Sequence, residues 1–202
     1  LTSPMGNRFE NMTDFVFPAN LANISTSKGV LSGCKKLTKI TFPIAYCDIS
    51  HPESFLANST FVNGLELPYT LNFVPMVSVD GQTGIEEIKQ NEILKGSHVV
   101  GNLNIKAATT NKCVVYVNKE TTSLVIYPAT VQGRFYLMGK GIDGDLSGLQ
   151  TIQIGRSTNI NDTDGFASNT SANINLSLDF QSGNCTTKIP KNAFNGYSGN
   201  TI

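Results

Sequence analysis

Short segments of the form apolar-x-x-apolar-x-apolar recur along this chain: Met12/Phe15/Phe17, Leu37/Ile40/Phe42, Val62/Leu65/Leu67, Val100/Leu103/Ile105 and Leu149/Ile152/Ile154. Two further copies, Leu124/Ile126 and Leu176/Leu178, keep the last pair without the first apolar residue. The middle residues stand at 15, 40, 65, 103, 124, 152 and 176, so successive copies lie 25, 25, 38, 21, 28 and 24 residues apart. Residues two apart in an extended chain face the same way, so each last pair predicts a strand with one buried face. The residue three earlier turns inward from the approach to that strand. Pro18, Pro43 and Pro68 directly follow the first three copies, where a proline ends ladder bonding. One copy cannot bury its apolar face alone, whereas stacked copies share a core. The pattern predicts a mostly β solenoid, a single repeat domain over residues 1–202 with one short strand per repeat of about 25 residues.

Two stretches break the rhythm. The 38-residue step calls for an insertion over residues 69–99, with an extra strand at 76–79, a turn at Asp80-Gly81 and one short helix over residues 85–94. Residues 113–138 read as an inserted β-hairpin or meander: strands at 113–117 and 124–127 around a polar loop, then a further strand at 135–138. The outward face of the stacked strands carries Val16, Thr41, Glu66, Asn104, Val125, Gln153 and Ser177. Its polar members, Thr41, Glu66, Asn104, Gln153 and Ser177, are the candidate binding residues, suited to hydrogen bonding with a glycan or a protein surface.

Composition narrows the function classes. Fifteen basic residues balance fifteen acidic ones, so no electrostatic footprint points to nucleic acid. No apolar run approaches the length of a membrane-spanning helix, so no membrane insertion is expected. Asn, Ser and Thr together make up about 29% of the chain, a wetting by amides and hydroxyls commoner in extracellular and surface-displayed proteins. Seven Asn-x-Ser/Thr sites occur, at Asn11, Asn23, Asn58, Asn161, Asn169, Asn175 and Asn184, a mild excess over the roughly four that chance supplies. The chain opens at Leu1 without a signal peptide and stops abruptly after Thr201-Ile202, which suggests a fragment of a longer parent.

Catalytic and metal chemistry find little purchase. Cys34, Cys47, Cys113 and Cys185 lie far apart with only two histidines, a poor zinc set. Cys34 is expected to fill the corner between neighbouring coils as a packing residue rather than half of a disulfide. Gly139, Gly141 and Gly144 satisfy G-x-G-x-x-G, but a strand rather than a phosphate-binding helix follows, so a turn-rich loop is the reading. Asn159, Asn161, Asp162 and Asp164 resemble a calcium loop whose glycine comes one place late and whose closing Glu is missing, which favours a solvated loop. His51 and His98 read as surface histidines, with no Gly-x-Ser-x-Gly elbow for either to serve. Glu86 with Glu87, and Asp143 with Asp145, read as surface carboxylates, although distant acids can still converge into a glycosidase pair. No catalytic residue, cofactor or metal is expected.

The segment Val30-Leu31-Ser32-Gly33-Cys34-Lys35-Lys36-Leu37-Thr38-Lys39-Ile40-Thr41-Phe42-Pro43 resembles the repeat unit of the BspA-like leucine-rich-repeat family of bacterial cell-surface proteins. Ile189-Pro190 through Ala193-Phe194 to Gly196-Tyr197 is similar to the start of the same unit, and residues 115–135 to that family's interrupting hairpin. Ser59 stands where the second unit would have its Cys, and Gly155 where a proline would follow Ile154. The resemblance implies a secreted, non-enzymatic cell-surface recognition or adhesion module for a protein or glycan ligand. Two alternatives stand beside it: a carbohydrate-active enzyme on a β-rich scaffold, and a structural spacer without a ligand.

Overall fold

The structure, a computed structural model, describes residues 9–25, 29–74, 92–110, 112–127, 134–138, 145–146, 148–154, 158–160 and 175–178. Every strand pairing among them is parallel, and the chain visits the same sides in the same order on successive turns. The first turn holds β1 (Asp14–Val16) and β2 (Asn23–Ile24), and the second holds β3 (Lys39–Thr41), β4 (Cys47–Ile49) and α1 (Pro52–Phe55). The third runs through β5 (Thr60–Phe61), β6 (Leu65–Leu67), β7 (Leu71–Phe73) and β8 (Glu92–Ile93). The fourth runs through β9 (His98–Val99), β10 (Gly101–Ile105), β11 (Ala108–Thr109) and β12 (Lys112–Tyr116). Then come β13 (Thr121–Ile126) with β14 (Arg134–Met138), β15 (Thr151–Ile154) with β16 (Thr158–Ile160), and β17 (Asn175–Leu178).

Apart from a break between β3 and β6, the strands read from the apolar repeat stack in the register the repeat dictates. Phe15 pairs with Ile40, and Leu65, Leu103, Leu124, Ile152 and Leu176 follow one another down a five-stranded ladder. A second side is the ladder β2-β4-β7-β11, and a third is β8-β12-β14-β16. Leu37, Leu65, Leu67, Leu103, Ile105, Leu124, Ile126 and Ile152 are all buried, as period-two alternation requires. Aromatic rings fill the interior of the early turns: Phe17 lies 5.9 Å from Phe42 and 6.0 Å from Phe55, and Phe73 meets Phe135 edge-on at 6.5 Å.

Four expectations are corrected. The strands at 113–117 and 124–127 form, but not as a hairpin: β12 joins β8 and β14 while β13 joins β10 and β15, all in parallel. The polar stretch between them turns a corner between two sides instead of reversing the chain. The expected helix at 85–94 lies mostly outside the described residues, and its described end, Glu92–Ile93, is a strand. The short helix among the described residues is α1, which opens on Pro52 and Glu53, a favourable first turn. Val62 and Val100 are 40% and 41% exposed, because Phe61 and Val99 take the inward positions and pair with each other. Ile40 and Phe42 are only half-buried, for a reason given below.

A second column crosses the turns six residues ahead of the ladder. Cys34, Ser59 and Ser97 are buried one above another. Ser59 Oγ donates to the Leu31 carbonyl and accepts from the Cys34 N–H at 3.2 Å. Ser97 repeats the arrangement one turn on, donating to the Leu56 carbonyl at 2.6 Å and accepting from the Ser59 N–H at 3.2 Å. Asn118 extends the column by donating to the Ser97 carbonyl at 2.6 Å. Hydroxyls thus satisfy backbone groups that the corner between turns would otherwise bury unpaired.

Cys34 occupies the packing position expected of it, and Cys47 and Cys113 are buried and unbridged likewise. Burial pushes all three thiols up, Cys47 to about 11 with the Asp48 carboxylate as a second cause. An unfolded thiol ionises near 8.5, roughly its ordinary value, while the folded ones stay protonated beyond it. The stabilisation is therefore complete below that value and is lost as pH rises through the folded pKa. Native protein at pH 8 is expected to leave these three thiols unalkylated by iodoacetamide, and urea midpoints should fall steadily above about pH 9. Rapid labelling of Cys34 or Cys47 without denaturant would contradict the packing.

Candidate functional site

The outward row is continuous over five strands. Glu66 pairs with Asn104, Asn104 with Val125, Val125 with Gln153, and Gln153 with Ser177. Four of the five candidate binding residues are thereby brought onto one line, spaced by the roughly 4.8 Å between strands. Thr41 is not on it: it pairs with Val16 in the separate two-stranded sheet. Glu66 is tied down on both oxygens, accepting from Lys106 Nζ at 2.9 Å and from Asn104 Nδ2 at 3.3 Å. The Oδ1 of Asn104 is buried with no hydrogen-bond partner.

The side that sequence periodicity makes one seven-stranded sheet is split between β3 and β6. The cause is a conflict of register. Before the split, Leu37 bridges Phe61; after it, Cys47 pairs with Leu71; both steps are 24 residues. The alternation of Ile40 and Phe42 with Leu65 and Leu67 demands 25. At a step of 24, outward Thr41 would lie beside inward Leu65, and paired residues of a ladder must share a face. No bulge reconciles the two steps here, and β3 and β6 form no ladder.

The mismatch has a source in the sequence. Leu37 precedes Ile40 by three, whereas Phe61 precedes Leu65 and Val99 precedes Leu103 by four. Gly64, at φ +81°, carries the extra residue of the third turn, and a Cβ there would stand 2.6 Å from the Asn102 carbonyl oxygen. Gly101, at φ +89°, carries that of the fourth turn. The next ladder takes a one-residue slip of its own through a bulge opposite Gly101 and Asn102, with Thr122 of β13 as the extra residue.

The split leaves a cleft of about 370 Å³. Leu37, Ile40, Phe42, Phe61 and Leu65 form its apolar lining, and Thr38, Lys39, Asn63, Glu66, Asn102 and Asn104 its polar one. This explains why Ile40 and Phe42 are only half-buried. Ile44, Tyr46 and Tyr69, exposed at 75%, 57% and 66%, follow β3 and β6 at the corner towards the second side. Neither cleft nor corner was named from sequence. The signal was present in the spacing of four after Phe61, but Val62, apolar and at the expected spacing of three, concealed it.

Neither histidine lines this cleft. His51 Nδ1 lies 3.0 Å from Glu53, and His98 Nδ1 lies 3.0 Å from Glu120. The carboxylates of Glu86, Glu87 and Asp143 and the glycines 139–144 lie outside the described residues, as does most of the Asn159 loop; Asn159 itself belongs to β16. Among the described residues no group of three or more His, Cys, Asp or Glu gathers to hold a metal ion. No described helix is long and apolar enough to cross a membrane. The chain is thus a mostly β protein built on parallel stacked strands. No family model, curated protein or solved structure matches it.

Proposed function

We propose that the chain is a non-catalytic recognition module, a leucine-rich-repeat solenoid resembling the BspA-like surface proteins, which binds a protein or glycan outside a cell. The observation that carries this reading is the outward row from Glu66 to Ser177, in register and beside a cleft with polar and apolar walls. Two amides, Asn104 and Gln153, flank Val125 in this row and suit a ligand that offers both hydrogen-bonding groups and apolar surface, and the one carboxylate in the row is already neutralised by Lys106.

The test is a screen of the purified protein against glycan and cell-surface-protein arrays, with the double variant Asn104→Ala/Gln153→Ala in parallel. At least one ligand is expected, with its signal lowered about tenfold in the variant, the size of effect that losing one or two central contacts produces. A protein that captures nothing on either array is a spacer. A ligand retained in full by the variant binds another face.

A further inference from the structure

The cleft between β3 and β6 has the makings of a strand-binding slot. In a parallel ladder the backbone groups of alternate residues point to opposite neighbours. On β3, the Lys39 N–H donates to Thr13 at 3.1 Å and the Thr41 carbonyl accepts from Phe17 at 2.9 Å, so both residues face β1 and Ile40 faces the cleft. On β6, the Leu67 carbonyl accepts from Lys106 at 2.8 Å and from Ala107 at 3.0 Å, so Leu67 faces β10 and Glu66 faces the cleft. Two strand edges therefore confront each other with no ladder between them. Closure is opposed by the register conflict, since zipping β3 onto β6 would turn Thr41 inward or Leu65 outward.

We infer that this slot receives an extended, acidic peptide segment of a partner protein, which pairs with β3 on one side and β6 on the other. A guest strand resolves the conflict that keeps the edges apart, because each of its two ladders has its own register. Its inward side chains would meet Ile40 and Phe42. Charge selects acidic residues for its outward positions. Among the described residues, Lys39 at the rim enters no ion pair, and the only carboxylate of the lining, Glu66, is held by Lys106. The slot is short. The Leu37–Phe61 bridge closes one end, and the bond of 2.8 Å that Thr70 Oγ1 donates to the Pro43 carbonyl closes the other. About five guest residues fit between, at roughly 3.3 Å each, entering and leaving by the outward face as the tip of a loop does.

This inference rests on the recognition reading and narrows its ligand from protein or glycan to an extended peptide. The probe is a library of acetylated hexapeptides with Asp or Glu at alternate positions and Val, Ile or Leu between them, offered to the immobilised protein. A matched library N-methylated at alternate amides keeps the side chains and loses the backbone donors. Enrichment of unmethylated members is expected, with at least about a tenfold loss on methylation, since two or three backbone hydrogen bonds are removed. Lys39→Glu, a surface change, should weaken retention by a similar factor. Deleting Gly64 together with Gly101 restores a spacing of three in both turns, and should zip the sheet and abolish retention. Equal retention of both libraries, retention indifferent to Lys39→Glu, or no enrichment at all overturns the peptide slot. A ligand found on the arrays in that event keeps the recognition reading standing without it.

Discussion

Replacing Ser59 by alanine is expected to lower the unfolding free energy by about 2–4 kcal/mol, measured by urea denaturation. Little volume is lost, so the cost comes from hydrogen bonding. The Leu31 carbonyl and the Cys34 N–H both rely on Ser59 Oγ, in a residue with no exposed surface. A buried backbone group left unpaired costs roughly 1–3 kcal/mol. Ser59→Cys restores a weak donor and acceptor of similar shape, so it should recover part of the loss. Ser97→Ala removes the equivalent bonds one turn later, and its acceptor role includes the Ser59 N–H itself. The double alanine variant should therefore depart from additivity, because the two hydroxyls belong to one network. A ΔΔG under about 0.5 kcal/mol for Ser59→Ala would mean that water reaches this corner.

Leu67→Ala should cost about 3–5 kcal/mol, whereas Phe42→Ala should cost clearly less, despite the larger side chain removed. The two residues hold the same place in successive repeats, and sequence alone assigns them the same burial. Leu67 is fully enclosed within the five-stranded ladder. Phe42 stands at the open cleft and keeps one face in solvent, although it stacks on Phe17 at 5.9 Å. Removing it opens no sealed cavity, since water can enter from the cleft. Equal losses for the two variants would mean that β3 and β6 are zipped in solution.

Alternation and spacing made most of the fold legible. A buried period-two pair has few structural causes, and the seven copies mark strands that pair in chain order except across the break between β3 and β6. What escaped was whatever depended on non-local competition. The polar residues 118–121 are what a hairpin loop would use, and only the pairing of β12 with β8, far earlier in sequence, reveals a corner. The end of the helix expected over 85–94 was misplaced for a different reason, since Glu92–Ile93 is a strand. Ile85 and Ile88 supply a spacing of three, whereas the four residues of α1 are too few to show any period. The row from Glu66 to Ser177 was readable because it follows from the pleat. Ser59 drew notice only as a departure from the repeat's cysteine. Its partnership with Ser97 and Asn118 lay hidden, since hydroxyl and amide positions carry no hydropathy signal.

The split between β3 and β6 also bears on how the protein comes apart. In a stack where each turn touches only its neighbours, stability is a sum of turn energies and the joints between them, and cooperativity is no stronger than the weakest joint. The joint between the second and third turns keeps its ladder on the second side, from Cys47 to Ile49, but has surrendered the one on the first. Partial unfolding should therefore begin there, releasing the first two turns as a unit while the block from β6 onward stays assembled. Such a molecule has two cooperative units within one continuous core, and a single midpoint or a single unfolding free energy describes it incompletely.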